Sequence, residues 1–231
     1  MSWTRPPTTN LMVGKCFGNH DMYTNGESLF YANIKDNIEV IFDVGSSDET
    51  LFTDFLGEVH YFEPSSRIEN LEKQPTKNKK SVFNNFGLSD ETSKLREITW
   101  ETAGNVPGSD ILHPPGSITT MRTLTGSDYL TQNKISNVDF IKIDTEGHEL
   151  QILQGFGNYL KNTKIIQFEY GGTTYACGIK LIEIIELLQQ FNFKNFSYIS
   201  PDGLEPFKWD RNKEDHYTFC NIVCFNEYEY R

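Results

Sequence analysis

Val138-Asp139-Phe140-Ile141-Lys142-Ile143-Asp144-Thr145-Glu146-Gly147-His148-Glu149-Leu150-Gln151-Ile152-Leu153-Gln154-Gly155 is the stretch whose reading decides the fold. A short apolar run of the kind that makes a buried strand breaks into acidic and glycine-bearing residues. Leu150, Leu153 and Phe156 then resume at helical spacing. The order is strand, loop, helix. Four ionisable side chains (Asp144, Glu146, His148 and Glu149) stand where the strand ends. In open α/β sheets that is where ligands bind, in the crevice outside the carboxyl ends of the strands.

Upstream, Glu39-Val40-Ile41-Phe42-Asp43-Val44 reads as a β-branched and aromatic strand. Gly45-Ser46-Ser47-Asp48 is turn chemistry; Leu51, Phe52, Phe55 and Leu56 then recur as one helix face, with Asp48 its expected N-cap. A second strand covers 58–64 and ends in Glu63 and Pro64, a polar helix covers 65–73, and a third strand covers 81–85, closed by Gly87. This alternation predicts a parallel sheet. Residues 100–122, rich in Gly, Pro, Ser and Thr, read as a long loop and a candidate substrate lid. Downstream come a helix near 127–131, a strand at 164–170 and an amphipathic helix carrying Leu181, Ile184, Ile185 and Leu188. A closing antiparallel pair is expected from 195–199 and 217–225, joined by Pro201-Asp202-Gly203. Residues 1–35 have no clear period and read as an arm, or one helix covering the sheet or the site. The core is placed at 38–225, within a single domain 1–231.

The 231 residues, 37% hydrophobic and 23% charged, are globular in composition. A net charge of −11 argues against a nucleic-acid partner, which needs clustered Lys and Arg. No apolar leader or bilayer-spanning run is present, so a cytoplasmic protein is expected. Cys16, Cys177, Cys220 and Cys224 lack C-x-x-C spacing and read as buried or half-buried free thiols, the last two on one face of a strand.

Asp43-Val44-Gly45 after a strand is the first constellation with chemistry. Glycine there lets the backbone approach a ligand, and the helix start that follows offers N–H groups to an anion. About twenty residues on, Glu63 ends the second strand, where an acid can accept both hydroxyls of a ribose. The pair points to an adenosine-containing cofactor. Neither G-x-G-x-x-G nor a P-loop is present. An acid ahead of a single glycine suits a ligand carrying an ammonium group as well as a ribose, which describes S-adenosylmethionine.

Val40-Ile41-Phe42-Asp43-Val44-Gly45-Ser46-Ser47, Tyr61-Phe62-Glu63-Pro64, Asn85-Phe86-Gly87-Leu88-Ser89-Asp90 and, most specifically, the stretch 139–155 resemble the FkbM family of S-adenosylmethionine-dependent methyltransferases. The resemblance implies an α/β, Rossmann-like three-layer sandwich whose seven-stranded, mostly parallel sheet has an antiparallel C-terminal strand. It also implies O-methyl transfer, in several members to a sugar or glycan hydroxyl. Carried over, Asp43, Gly45 and Ser46 line the methionine end of the cofactor, Glu63 holds the ribose, Asn85 and Leu88 border the adenine, and Asp144 and the residues after it face the methyl group. Many relatives have a second glycine where this chain has Glu49.

For deprotonating a hydroxyl, His148 is the first candidate base, since imidazole titrates near neutral pH. Asp144 is the second, with Glu146 beside it. Lys142, inside a buried strand, is expected to pair with Asp144 or Glu169 and to build the site without doing chemistry. Asp144, Glu146, His148 and Glu169 are also a possible ligand set for Mg²⁺ or Mn²⁺. Trp100 is a candidate to stack on a sugar ring, His60 reads as structural, and His20, His113 and His216 have no identified partner. The competing readings are a nicotinamide-dependent oxidoreductase, which lacks its glycine fingerprint here, and a non-catalytic Rossmann-like binding module.

Overall fold

The computed structural model describes residues 20–100, 117–171, 173–174, 177–206 and 219–227. Five strands run parallel: β1 (Val40–Val44), β2 (Glu58–Phe62), β3 (Lys80–Asn84), β7 (Phe140–Ile143) and β8 (Ile165–Tyr170). Three more complete the main sheet on the far side: β9 (Phe193–Ser200), β10 (Gly203–Pro206) and β11 (Cys220–Asn226). The spatial order is β10-β9-β11-β8-β7-β1-β2-β3. β11 is antiparallel to both β8 and β9, as expected of the C-terminal strand. β10 adds an eighth strand to the expected seven, because the Pro-Asp-Gly turn folds back on β9 instead of leading straight to β11.

The sheet is buried on both faces, as near-continuous runs such as Phe140-Ile141 and Ile165-Ile166 require. On one face Phe42, Ile141, Ile143, Ile166 and Phe168 pack against α3 (Gly126–Asn133), α4 (Glu149–Phe156) and α5 (Leu181–Gln190). On the other, Ile41, Val59, Phe140, Ile165 and Val223 meet Phe30, Tyr31 and Ile34 of α1 (Glu27–Ile34), together with Phe52, Phe55 and α2 (Ile68–Glu72). Three layers result, the expected α/β sandwich. β1 is the switch point: its neighbours β2 and β7 are reached by connections that leave in opposite directions, which opens the crevice at its carboxyl end.

Several local expectations are corrected. The 51–56 helix is one 3₁₀ turn, Leu51–Asp54, capped by Thr50, whose hydroxyl accepts from the Phe52 N–H; Asp48 is exposed. The turn stops because Phe55 is already extended where the chain enters β2, and this leaves Leu56 at 75% exposure. The 100–122 stretch is strand at both ends. β5 (Ser93–Trp100) pairs antiparallel with β6 (Ser117–Thr125), Trp100 opposite Ser117, and β4 (Gly87–Ser89) joins them in a second sheet. The alternating, β-branched sequence on either side of the gap explains the pairing. The rest of the proposed lid, 101–116, lies outside the described residues, as do Cys16, His113, His216 and the side chain of Trp100. Cys220 and Cys224 are buried on one face of β11, whereas Cys177 is exposed. His20 does have a ring partner, Phe219, at 4.4 Å. Among the described residues no helix is long and apolar enough to cross a membrane.

Candidate active site

The site lies at the carboxyl edge of β1, β2, β7 and β8. Gly45, with φ +83°, follows β1, and a Cβ there would sit 1.8 Å from the Asp144 carbonyl oxygen. Its missing side chain therefore serves close approach of the β1 and β7 ends. The Gly45 and Ser46 amides both donate to the Phe62 carbonyl, at 2.9 and 3.3 Å. The Ser46 hydroxyl donates to the Asp43 carbonyl (2.7 Å) and accepts from Phe62 N–H (3.2 Å). Ser46 is buried and ties β1 to β2, so its hydroxyl presents nothing outward.

Asp43 is different. Its side chain is 2% exposed; Oδ2 accepts from the Thr50 hydroxyl at 2.7 Å, and Oδ1, although buried, has no partner. Burial pushes its carboxyl up to about 6, against the opposing pull of Lys142 and the Thr50 hydrogen bond. A buried oxygen left without a donor costs on the order of 1–3 kcal/mol, the kind of defect a ligand's donor removes. One strand over, Glu63 follows β2; its amide donates to Asn84 O (3.1 Å) and its Oε1 accepts from Ser65 N–H (2.8 Å). Asn85 is exposed beyond β3 and donates to the Ser65 carbonyl at 2.8 Å. Leu88, expected at the adenine, is 2% exposed: β4 turns it into the core beneath α4, leaving it no surface for a ring. Glu49 is exposed at the rim.

Period-two alternation puts Lys142 and Asp144 on one face of β7, and Gln167 and Glu169 on the same face of β8. Lys142 Nζ donates to Asp144 Oδ2 at 3.0 Å, as expected, and lies 3.8 Å from Glu27 Oε2, a partner absent from the sequence reading. Burial works to lower the Lys142 pKa, but the charges of Asp144, Glu27 and Asp43 outweigh it and hold the ammonium protonated. Asp144, Glu146 and Glu169 bring ligand oxygens within 4.8 Å of one another. Burial, then the charges of Asp144, Glu146 and Glu149, raise the Glu169 carboxyl well above the usual carboxylate range.

The loop that carries Glu146 is held in an uncommon conformation. Glu146 and Gly147 have φ of 55° and 108°, and a Cβ on Gly147 would meet Cys177 Sγ at 2.6 Å. Glu149, fully buried, holds the loop from beneath: its Oε1 accepts from Thr145 N–H (3.1 Å), Thr145 Oγ1 (3.0 Å) and Gly147 N–H (3.2 Å). Glu149 is thus a support for the loop, and Glu146 is the acid presented at the edge.

His148 does not join the acids. It is the N-cap residue of α4, and the Gly147 turn sends its ring to the opposite layer, where Nε2 meets Ser89 Oγ at 2.8 Å. Arg96 bonds both Ser89 and Asp90 there, at 2.6 Å each. Burial, then the Arg96 charge, lowers His148 to about 4. The metal set including His148 is therefore corrected to three carboxylates. Lys142 already balances part of their charge and the Glu169 carboxyl is raised toward its neutral form, so the donor set suits a divalent ion poorly. His60 is structural as expected, 1% exposed between Tyr129 OH and Glu58 Oε1, both at 2.6 Å.

The lowered His148 pKa has a stability consequence. Above the unfolded value near 6.5 both states are neutral; between 6.5 and about 4 only the unfolded state takes up the proton, so stability falls as pH falls. The expected loss is about 3 kcal/mol by pH 4. Denaturant melts from pH 7 to 4 check this: the wild type's stability relative to His148→Gln should decline steadily over that window.

The sequence profile of the methyltransferase FkbM domain matches residues 13–195. Hexuronic acid methyltransferase AglP of Haloferax volcanii is 26% identical over 135 residues, a match spanning 57% of this chain and 55% of that relative, so the chain covers little more than half its length. Among solved structures, methyltransferase FkbM from Methylobacillus flagellatus KT superposes with a TM-score of 0.46 at 13% identity, over 80% of this chain and 43% of that one. The plantazolicin methyltransferase BpumL, solved with SAH, gives 0.48 at 12% identity, over 91% and 87%. With the profile running from the N-terminal segment through the hallmark stretch and into β9, the chain belongs to the FkbM methyltransferase family.

Proposed function

We propose that this protein transfers a methyl group from S-adenosylmethionine to a hydroxyl of a sugar unit, within a glycan or free. The observation that carries the reading is the unpartnered, buried Asp43 Oδ1 at the switch point, one strand from Glu63, one strand from Asp144 at the end of β7 and two from Glu169 of β8. Asp43 would hold the cofactor's ammonium and Glu63 its ribose hydroxyls. When bound, S-adenosylmethionine supplies a methyl on a sulfonium that needs no further activation, which leaves the protein to align the acceptor and remove its proton.

Asp144 takes the role of base in this reading, with Glu169 beside it, and Lys142 holds Asp144 in place. His148, engaged by Ser89 in the other layer, supports the α4–β4 contact instead. Support for a sugar acceptor comes from the name of the Haloferax relative, a hexuronic acid methyltransferase.

Thermal melts with S-adenosylhomocysteine and with NAD test the cofactor. Ligand at roughly a hundred times its dissociation constant adds about 2.7 kcal/mol, or roughly 5–10 °C for a chain of this size. S-adenosylhomocysteine should give that shift and NAD none; a shift with NAD alone would refute the reading.

A further inference from the structure

Glu27 lies outside every motif of the sequence, yet its carboxylate is among the most buried in the protein, at 5% exposure. It opens α1, and Phe30, Tyr31 and Ile34 anchor that helix on the sheet. Its Oε2 accepts from Gln167 Nε2 at 2.6 Å; Oε1 accepts from Asn25 Nδ2 (2.8 Å) and Asn221 Nδ2 (3.2 Å). Three amides from α1's approach, β8 and β11 thus aim one carboxylate at Lys142, 3.8 Å away. So many donors around one carboxylate fix it in place.

The arrangement bears on Asp43. Lys142 and Asp43 are register partners on adjacent strands, and the lysine's charge acts on that carboxylate. An ammonium buried beside an unpaired carboxylate oxygen would be expected to close on it. It does not: Lys142 donates to Asp144 at 3.0 Å, leans toward Glu27, and Asp43 Oδ1 stays unpartnered. Glu27 supplies the second negative charge that balances the lysine away from β1.

We propose that Glu27 is a positioning residue of the cofactor pocket: by drawing Lys142 toward α1 it keeps Asp43 Oδ1 clear for the ammonium of the methyl donor. This rests on the cofactor assignment above. It also gives the N-terminal segment a role in ligand binding beyond covering the sheet.

Calorimetric titration of the full chain with S-adenosylhomocysteine tests the proposal without needing an acceptor. Glu27→Gln should bind about tenfold more weakly than wild type with a melting temperature within a few degrees, and Glu27→Asp, which keeps the charge, should stay within about threefold of wild type. Equal affinity of wild type and Glu27→Gln, or equal weakness of both variants, overturns the role of Glu27 alone. No binding by wild type sinks the cofactor assignment and the proposal with it. Should Glu27→Gln fail to fold, a crystal structure of the wild type with S-adenosylhomocysteine decides: Lys142 Nζ near Glu27 with the ligand ammonium on Asp43 is expected, and Lys142 bonded to Asp43 contradicts it.

Discussion

Asp43→Asn is expected to weaken S-adenosylhomocysteine binding by about 100-fold while leaving the melting temperature unchanged or higher. The amide is isosteric, and its oxygen can keep the Thr50 hydrogen bond that Oδ2 now accepts. Its NH₂ then occupies the place of Oδ1 and presents a donor to the ligand's ammonium, where a carboxylate was unpaired. Losing one partner of a desolvated charge pair costs roughly 2–5 kcal/mol of binding, and about 2.7 kcal/mol is two decades of affinity. The fold, in contrast, sheds a buried carboxylate that burial already pushes to about 6. Removing a poorly compensated buried charge is neutral or stabilising. Calorimetry and a melt on the same sample check both halves, and a purely structural Asp43 would lose stability instead.

Asp144→Asn should lower kcat by about a thousandfold, within the range for loss of a general base, with S-adenosylhomocysteine affinity kept within about threefold. The amide oxygen can still accept from Lys142, so the strand end stays in place, but it cannot take up a proton. His148→Gln should keep near-full turnover at neutral pH, since its ring faces Ser89.

The layers and the location of the site were legible because β1, β7 and β8 are short apolar runs ended by acids and glycine, and because their neighbouring segments repeat at helical spacing. Residue types at strand ends marked Asp43, Glu63 and Asp144 for the same reason. Side-chain direction was harder to read. Gly45 and Ser46 follow a strand end but are consumed by contacts between strands, which sequence spacing does not reveal. His148 sits four residues past Asp144, yet two residues of left-handed backbone at Glu146 and Gly147 rotate it into another layer. The pairing of Lys142 with Asp144 was legible, because a lysine inside a buried strand needs a carboxylate close by. Glu27 had no such signal, since all its partners but Asn25 are 115 to 194 positions away in the chain and only the fold unites them.

The most direct test of the account is transfer of a labelled methyl group. Incubation with methyl-labelled S-adenosylmethionine and a panel of hexuronate-containing and neutral glycans, followed by NMR of the product, locates the new bond. The account predicts an alkali-stable methyl ether on a sugar hydroxyl, formed by the wild type and lost in Asp144→Asn. Label recovered as an alkali-labile carboxyl ester or on nitrogen, or formed equally by Asp144→Asn, would contradict it.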